Sequence, residues 1–139
     1  MSLGRVDKTT SAVGGQQLTV ATNAGGGYSV FAHVDGPLSD GAGHTISSLG
    51  ATPASPGSFV SPGTEGFGYT TDSPLSGASP NRFLGGKWAG IDTNDREVMY
   101  GSSQTSGASA CVAYQITISK DTVGGFYGNN VVYTAVPSF

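Results

Sequence analysis

The sequence predicts an all-β protein: an antiparallel β-sandwich or jelly roll of about seven to nine short strands, with long Pro- and Gly-rich loops in the middle. Gly, Ser and Thr account for 23, 18 and 14 of the 139 residues, and all three are less favourable than Ala inside a helix. No stretch of the chain keeps apolar side chains at helical spacing. Several stretches instead alternate apolar and polar residues with the period of a strand.

Two alternating runs near the N-terminus predict the first strands. In residues 17–22, Leu18 and Val20 share one face, and the next run covers residues 28–34. The glycine-rich segment 23–27 between them is typical of a turn that holds positive φ angles. We therefore expect the two runs to form an antiparallel hairpin.

The middle of the chain, residues 47–80, is interrupted by prolines. Proline lacks the N–H that a central strand donates, so it is confined to edges, turns and bulges. This segment therefore predicts long loops, with room for only one or two short strands, around residues 58–60 and 66–71.

Four further predictions concern the second half of the chain. Residues 82–84 and 87–91 are expected to form a short pair joined by two glycines, and residues 97–100 another strand. Residues 112–119 and 131–136 alternate most regularly, and we expect them to pair antiparallel. The residues expected to form the core between two sheets are Ile116, Ile118, Val131 or Val132, and Tyr133.

Composition limits the classes of partner. Charged residues are 11% of the chain and the net charge is −3, which argues against a nucleic-acid footprint and against polybasic membrane binding. No apolar run is long enough to insert into a membrane. A surface covered by hydroxyls and amides is expected of a secreted or cell-surface β-protein. Cys111, the single cysteine, is interpreted as a small buried hydrophobe.

Two stretches resemble a known class of proteins. Residues 18–28 have a short strand followed by Thr-Asn-Ala, glycines and Tyr, and residues 125–135 have a Gly-x-Tyr turn before a Val-x-Tyr-x-Ala strand. Both resemble secreted bacterial cell-surface β-sandwich domains of the spore-coat-U and WxL-like type, although Trp88 is not part of a Trp-x-Leu element. In such domains a strand usually precedes the one that corresponds to residues 17–22, so the resemblance implies that this chain begins inside the sandwich. We expect residues 1–15 to be an N-terminal arm or leader and residues 16–139 to be one sandwich domain.

One acidic segment is the candidate cation site. Asp92, Asn94, Asp95 and Glu97 offer oxygen ligands of the kind that Ca²⁺ prefers. The spacing of an EF-hand is absent, and Arg96 lies among the ligands, so the competing interpretation is a polar turn. We expect the polar turn, without a bound metal ion. We also expect no cofactor and no catalytic residue in the chain, since no nucleophile motif or zinc motif is present.

Three aromatic residues are candidates for stacking on sugar rings: Tyr69, Trp88 and Tyr100. The competing interpretation places them in the core, where aromatic side chains bury a large area.

These observations predict a non-enzymatic, exported structural or adhesion domain of a cell surface, filament or virion. It would act by self-association through sheet edges, or through a swapped segment 2–15, or by binding another partner. A carbohydrate-binding module that uses exposed aromatics, with a glycan as partner, is the alternative, and an enzyme of unknown class is the third interpretation.

Overall fold

The structure, a computed structural model, describes residues 1–77 and 81–139. These described residues form ten strands and no helix, and thus no helix able to cross a membrane. In chain order the strands are β1 (Ser11–Thr22), β2 (Tyr28–Val34), β3 (Leu38–Ser39), β4 (Thr45–Ile46), β5 (Gly57–Ser58), β6 (Gly66–Thr71), β7 (Lys87–Trp88), β8 (Arg96–Gly101), β9 (Thr105–Thr117) and β10 (Val131–Pro137). The predicted all-β class is confirmed. Ten strands exceed the expected number because four of them are only two residues long.

Two antiparallel three-stranded sheets make up the body of the fold. One has the strand order β1-β9-β6 and the other the order β10-β2-β8. The short strands form two ribbons, β3-β4 and β5-β7. The longest ladder runs along β1 and β9, from Ser11 opposite Thr117 to Val20 opposite Ala108.

The hydrophobic core lies between the two sheets, as in a sandwich. Alternate residues of β2 and β9 point into it, among them Val30, Val112 and Tyr114. Burying side chains at a period of two is what the alternating sequence predicts.

The predicted core residues all contribute, to different extents. Ile116 is 6% exposed, and Ile118, Val131 and Tyr133 are partly buried against the core. Val132 is 41% exposed, so Val131 is the inward-facing member of that pair.

The predicted hairpin of residues 17–22 and 28–34 is wrong. β1 pairs with β9, whereas β2 pairs with β10 and β8 in the other sheet. The connection crosses from one sheet to the other instead of turning within one. It does so through Gly27, which has φ +87° and approaches the Gly101 carbonyl so closely that no side chain would fit.

Two further predicted pairings are wrong. Residues 112–119 and 131–136 are both strands, but they lie in opposite sheets and meet across the core. Residues 82–86 form turns, and Lys87–Trp88 pairs with Gly57–Ser58. The loop-rich middle, with strands β5 and β6, is confirmed, and residues 78–80 of that segment lie outside the described residues.

Two smaller expectations also need correction. Cys111 is exposed, because its neighbours Ala110 and Val112 face the core and alternation turns Cys111 outward. The boundary between arm and domain does not fall at residue 15. β1 begins at Ser11 and Ala12 is already buried in the core, so residues 11–15 belong to the first strand of the sandwich.

Candidate functional site

The candidate site is one flank of the sandwich, where an edge strand of each sheet lies. β1 is the end strand of its sheet and β10 is the end strand of the other. The Tyr133 hydroxyl of β10 donates a hydrogen bond of 2.7 Å to Gln16 Oε1 of β1. The two edge strands therefore lie over each other on the same side of the molecule.

The hydrogen bonding of β9 shows which backbone groups of β1 are free. Both backbone groups of Cys111 point toward β6, since its N–H donates to Asp72 Oδ1 at 2.8 Å and its C=O accepts from the Asp72 N–H at 3.2 Å. Gln17 lies opposite Cys111, so its own N–H and C=O point away from β9. The same holds at every second residue of β1, and we call the resulting set the β1 free edge: Ser11, Val13, Gly15, Gln17 and Thr19.

Among residues 1–77 and 81–139, nothing pairs with the β1 free edge along its length. In the part of the chain that the structure describes, no backbone hydrogen bond outside the ladder with β9 involves any of its five residues. All five are exposed. A row of unpaired N–H and C=O groups of this kind is a template for another strand.

β10 offers a shorter row on the same flank. Its ladder with β2 continues beyond the strand, where the Ser138 N–H donates to Gly27 O and the Gly26 N–H donates to Ser138 O. Alternation then turns the N–H groups of Val131, Tyr133 and Ala135 outward. Pro137, next in this row, has no N–H to offer.

The opposite flank is covered by other parts of the chain. On β6, Phe67 O accepts from the Leu49 N–H at 2.9 Å, and Tyr69 exchanges hydrogen bonds of 2.8 and 2.9 Å with Ala89. On β8, the Tyr100 N–H donates to Ser73 Oγ at 3.2 Å. The β1–β10 flank is thus the side on which a further strand can be added.

β1 carries none of the usual protection against pairing, and β10 carries little. Natural edge strands are commonly short, or contain Lys or Pro, or are twisted by a bulge. β1 is 12 residues long, lacks charge and Pro, and is irregular only at its end, between Val20 and Thr22. β10 is also uncharged, and its Pro137 is terminal.

The N-terminal arm packs beside this flank without covering the β1 free edge. Leu3 and Val6 contact the core, and a Cβ added to Gly14 would lie 2.6 Å from Leu3 Cδ2. Gly14 faces inward, so the Leu3 side chain fills the space that the missing Gly14 side chain leaves. The arm is therefore held by side-chain packing on the inner face of β1.

The candidate cation ligands do not converge on one point. Asp92 Oδ2 pairs with Arg96 Nη2 at 2.9 Å, Asp95 Oδ1 lies 2.9 Å from His33 Nδ1, and the Glu97 carboxylate accepts two hydrogen bonds from Ser76. Partial burial acts to raise the pKa of the Asp92 carboxyl, but hydrogen bonds from Arg96 and from the N–H of Asn94 hold it below its ordinary value. Within residues 1–77 and 81–139, no three His, Cys, Asp or Glu side chains form a metal-binding group.

The three candidate stacking residues do not form an exposed row. Tyr69 is fully buried and its hydroxyl donates to Glu97 O at 3.1 Å, so it is corrected to a core residue. Trp88 is half-buried and meets Phe59 edge-on, with ring centroids 5.5 Å apart. Tyr100 is half-buried on β8, in the sheet that does not contain Tyr69.

Two His–carboxylate pairs lie on the surface. One is the His33–Asp95 pair described above. The other is His44–Asp40, in which His44 Nδ1 and Asp40 Oδ2 are 2.7 Å apart. An apolar cavity of about 220 Å³ lies between the β3-β4 ribbon and the loop after β7, and its wall includes Ile91. None of the four paired residues lines that cavity.

The sequence contained one overlooked signal for the β1 free edge. No Asp, Glu, Lys or Arg occurs between Lys8 and Asp35, so the whole of β1 was visibly unprotected by charge. Which half of its backbone groups is free depends on pairing with β9, about 90 residues away, and no local pattern reports that. Comparison with known protein families, with curated proteins and with solved structures finds no match to this chain.

Proposed function

We propose that this chain is a non-enzymatic structural or adhesion domain that works, after export, at a cell surface or in a filament or virion. It acts by adding a strand from another molecule to the β1–β10 flank. The observation that carries the proposal is the β1 free edge, because five consecutive outward pairs of N–H and C=O groups give a partner strand a continuous ladder.

Three features of the chain support this proposal over a catalytic one. The flank is uncharged in both layers, so it does not repel an incoming strand. The other flank is covered by the protein's own loops. The low charge of the whole chain, 11%, and the resemblance of residues 18–28 and 125–135 to exported sandwich domains favour a place outside the cell.

The test is the solution mass of matched variants, measured by light scattering over a wide range of concentration. The wild-type protein is expected to exceed the monomer mass of 13.9 kDa as concentration rises. Gln17→Lys places a charge on the free edge and is expected to remain monomeric. Gln115→Lys makes the same change on the central strand β9 and is expected to behave like the wild type.

Either of two results would overturn the proposal. One is a wild-type protein that stays monomeric at the highest concentration. The other is a Gln17→Lys variant that associates as strongly as the Gln115→Lys control.

A further inference from the structure

We infer that the strand added at this flank is β1 of a second copy, bound antiparallel so that Gly15 faces Gly15 of the copy across a twofold axis. This inference rests on the proposed function and specifies the partner and the register. A closed dimer with one symmetric interface is the commonest assembly of identical chains.

The β1 free edge selects this register. Centred on Gly15, an antiparallel pair sets Ser11 opposite Thr19 and Val13 opposite Gln17, each in both directions. All five free positions then exchange both of their hydrogen bonds with the copy. A pair centred on Val13 or on Gln17 leaves two free positions of each strand outside the ladder.

Side chains on the outer face fit the same register. Glycine at the twofold axis removes the one place where a residue would meet its own copy. Ser11 opposite Thr19 repeats a pairing already present in the sheet, where Thr19 Oγ1 and Ser109 Oγ lie 3.3 Å apart. Such hydroxyl pairs across neighbouring strands are favourable, and like charges opposite each other are not. β1 contains no charge.

β1 is preferred to β10 as the paired edge. β10 turns only three N–H groups outward, because Pro137 has none to contribute. A pair of β10 strands would therefore form a shorter ladder than a pair of β1 strands. β10 carries no charge, so the β10-β2-β8 sheets of the two copies can approach each other without electrostatic repulsion between their edge strands.

The experiment uses cysteine pairs in a Cys111→Ser background and a short thiol–thiol crosslinker. Ser11→Cys protein mixed with Thr19→Cys protein is expected to give a covalent dimer, because these positions face each other in the inferred register. Each variant alone is expected to give none, since eight residues of strand, about 27 Å, separate a position from its own copy. Gly15→Cys alone is expected to crosslink with itself.

An incorrect register and an absence of strand addition give different results in this experiment. Crosslinking of Ser11→Cys or Thr19→Cys alone, or no crosslinking of the mixture while the wild type associates, overturns the register and leaves strand addition standing. A monomeric wild type with no crosslink in any mixture overturns both.

A charge exchange gives a second, independent test of the register. Ser11→Lys combined with Thr19→Lys places two cationic pairs across the interface and is expected to abolish the dimer. Ser11→Lys combined with Thr19→Glu places opposite charges there and is expected to restore it. Equal loss of the dimer in both double variants contradicts the pairing of these positions.

Discussion

The Tyr133 hydroxyl of β10 donates to the side-chain oxygen of Gln16 on β1 at 2.7 Å, across the gap between the two sheets. The Tyr114 hydroxyl of β9 lies 2.7 Å from the Tyr133 oxygen. Because the single proton of Tyr133 is given to Gln16, Tyr114 is the donor in that second bond. These two linked hydrogen bonds fix the positions of the edge strands β1 and β10 relative to the central strand β9. The flank therefore presents both edge strands to a partner in one fixed arrangement.

Removing the Tyr133 hydroxyl, which takes part in both hydrogen bonds, is expected to destabilise the fold. Tyr133→Phe deletes both hydrogen bonds and leaves Gln16 and Tyr114 unpaired in a partly buried place, at a cost of about 1–3 kcal/mol. Chemical denaturation measures the change. Tyr100→Phe is the control, since its hydroxyl lies outside the chain of hydrogen bonds, and equal effects of the two substitutions would contradict the role given to Tyr133.

Stability is also expected to fall at alkaline pH. Burial raises the pKa of Tyr69, Tyr114 and Tyr133 above the ordinary value, which is about 10. Above that pH the unfolded chain loses tyrosine protons that the folded chain keeps, so the folded state binds more protons and becomes less stable as pH rises. Below about pH 10 the tyrosines are protonated in both states, and these groups cause no loss of stability there.

The measurement is the melting temperature as a function of pH, from neutral to alkaline solution. Tyr114→Phe removes one of the shifted groups and is expected to flatten the alkaline decline. A wild-type melting temperature that stays constant through the range where free tyrosine ionises would count against the burial of these hydroxyls.

The strand faces could be predicted from the sequence, whereas their pairing could not. Alternation correctly predicts that Leu18 and Val20 share one face of β1, which the structure shows to be the inner one, and that Ile116 lies in the core. The same alternation suits any partner strand, so it does not distinguish β9 from the neighbouring run 28–34 as the partner of residues 17–22. The apolar neighbours of Cys111 predict a buried side chain, but alternation along β9 turns it outward.

Truncation of a buried β9 side chain tests the predicted face. Ile116→Ala is expected to cost about 2–5 kcal/mol, because the surrounding core cannot fill the space. Val123→Ala, at a position that is 45% exposed, is expected to change stability by less than about 0.5 kcal/mol. Urea unfolding of both variants provides the comparison, and similar small changes would mean that Ile116 does not face the core.

The crossing between the two sheets depends on Gly27. Gly27→Ala introduces a Cβ at φ +87° and into the Gly101 carbonyl, and strain of this kind costs about 1–3 kcal/mol. Gly107→Ala, on β9 with open space around the added atom, is expected to be neutral or stabilising by up to about 1 kcal/mol. The melting temperatures of the two variants provide the comparison. A Gly27→Ala protein as stable as the Gly107→Ala control would contradict the requirement for glycine where the chain crosses between the sheets.

Amide hydrogen exchange at single-residue resolution tests the central claim, strand addition at the β1 free edge, most directly. In dilute protein, with the Gln17→Lys variant as the monomer reference, the Val13, Gly15 and Thr19 amides are expected to exchange rapidly. The Gln16 and Leu18 amides, which are paired with β9, are expected to be protected. In concentrated wild-type protein all five are expected to be protected. Free-edge amides that exchange equally fast at every concentration would contradict the account.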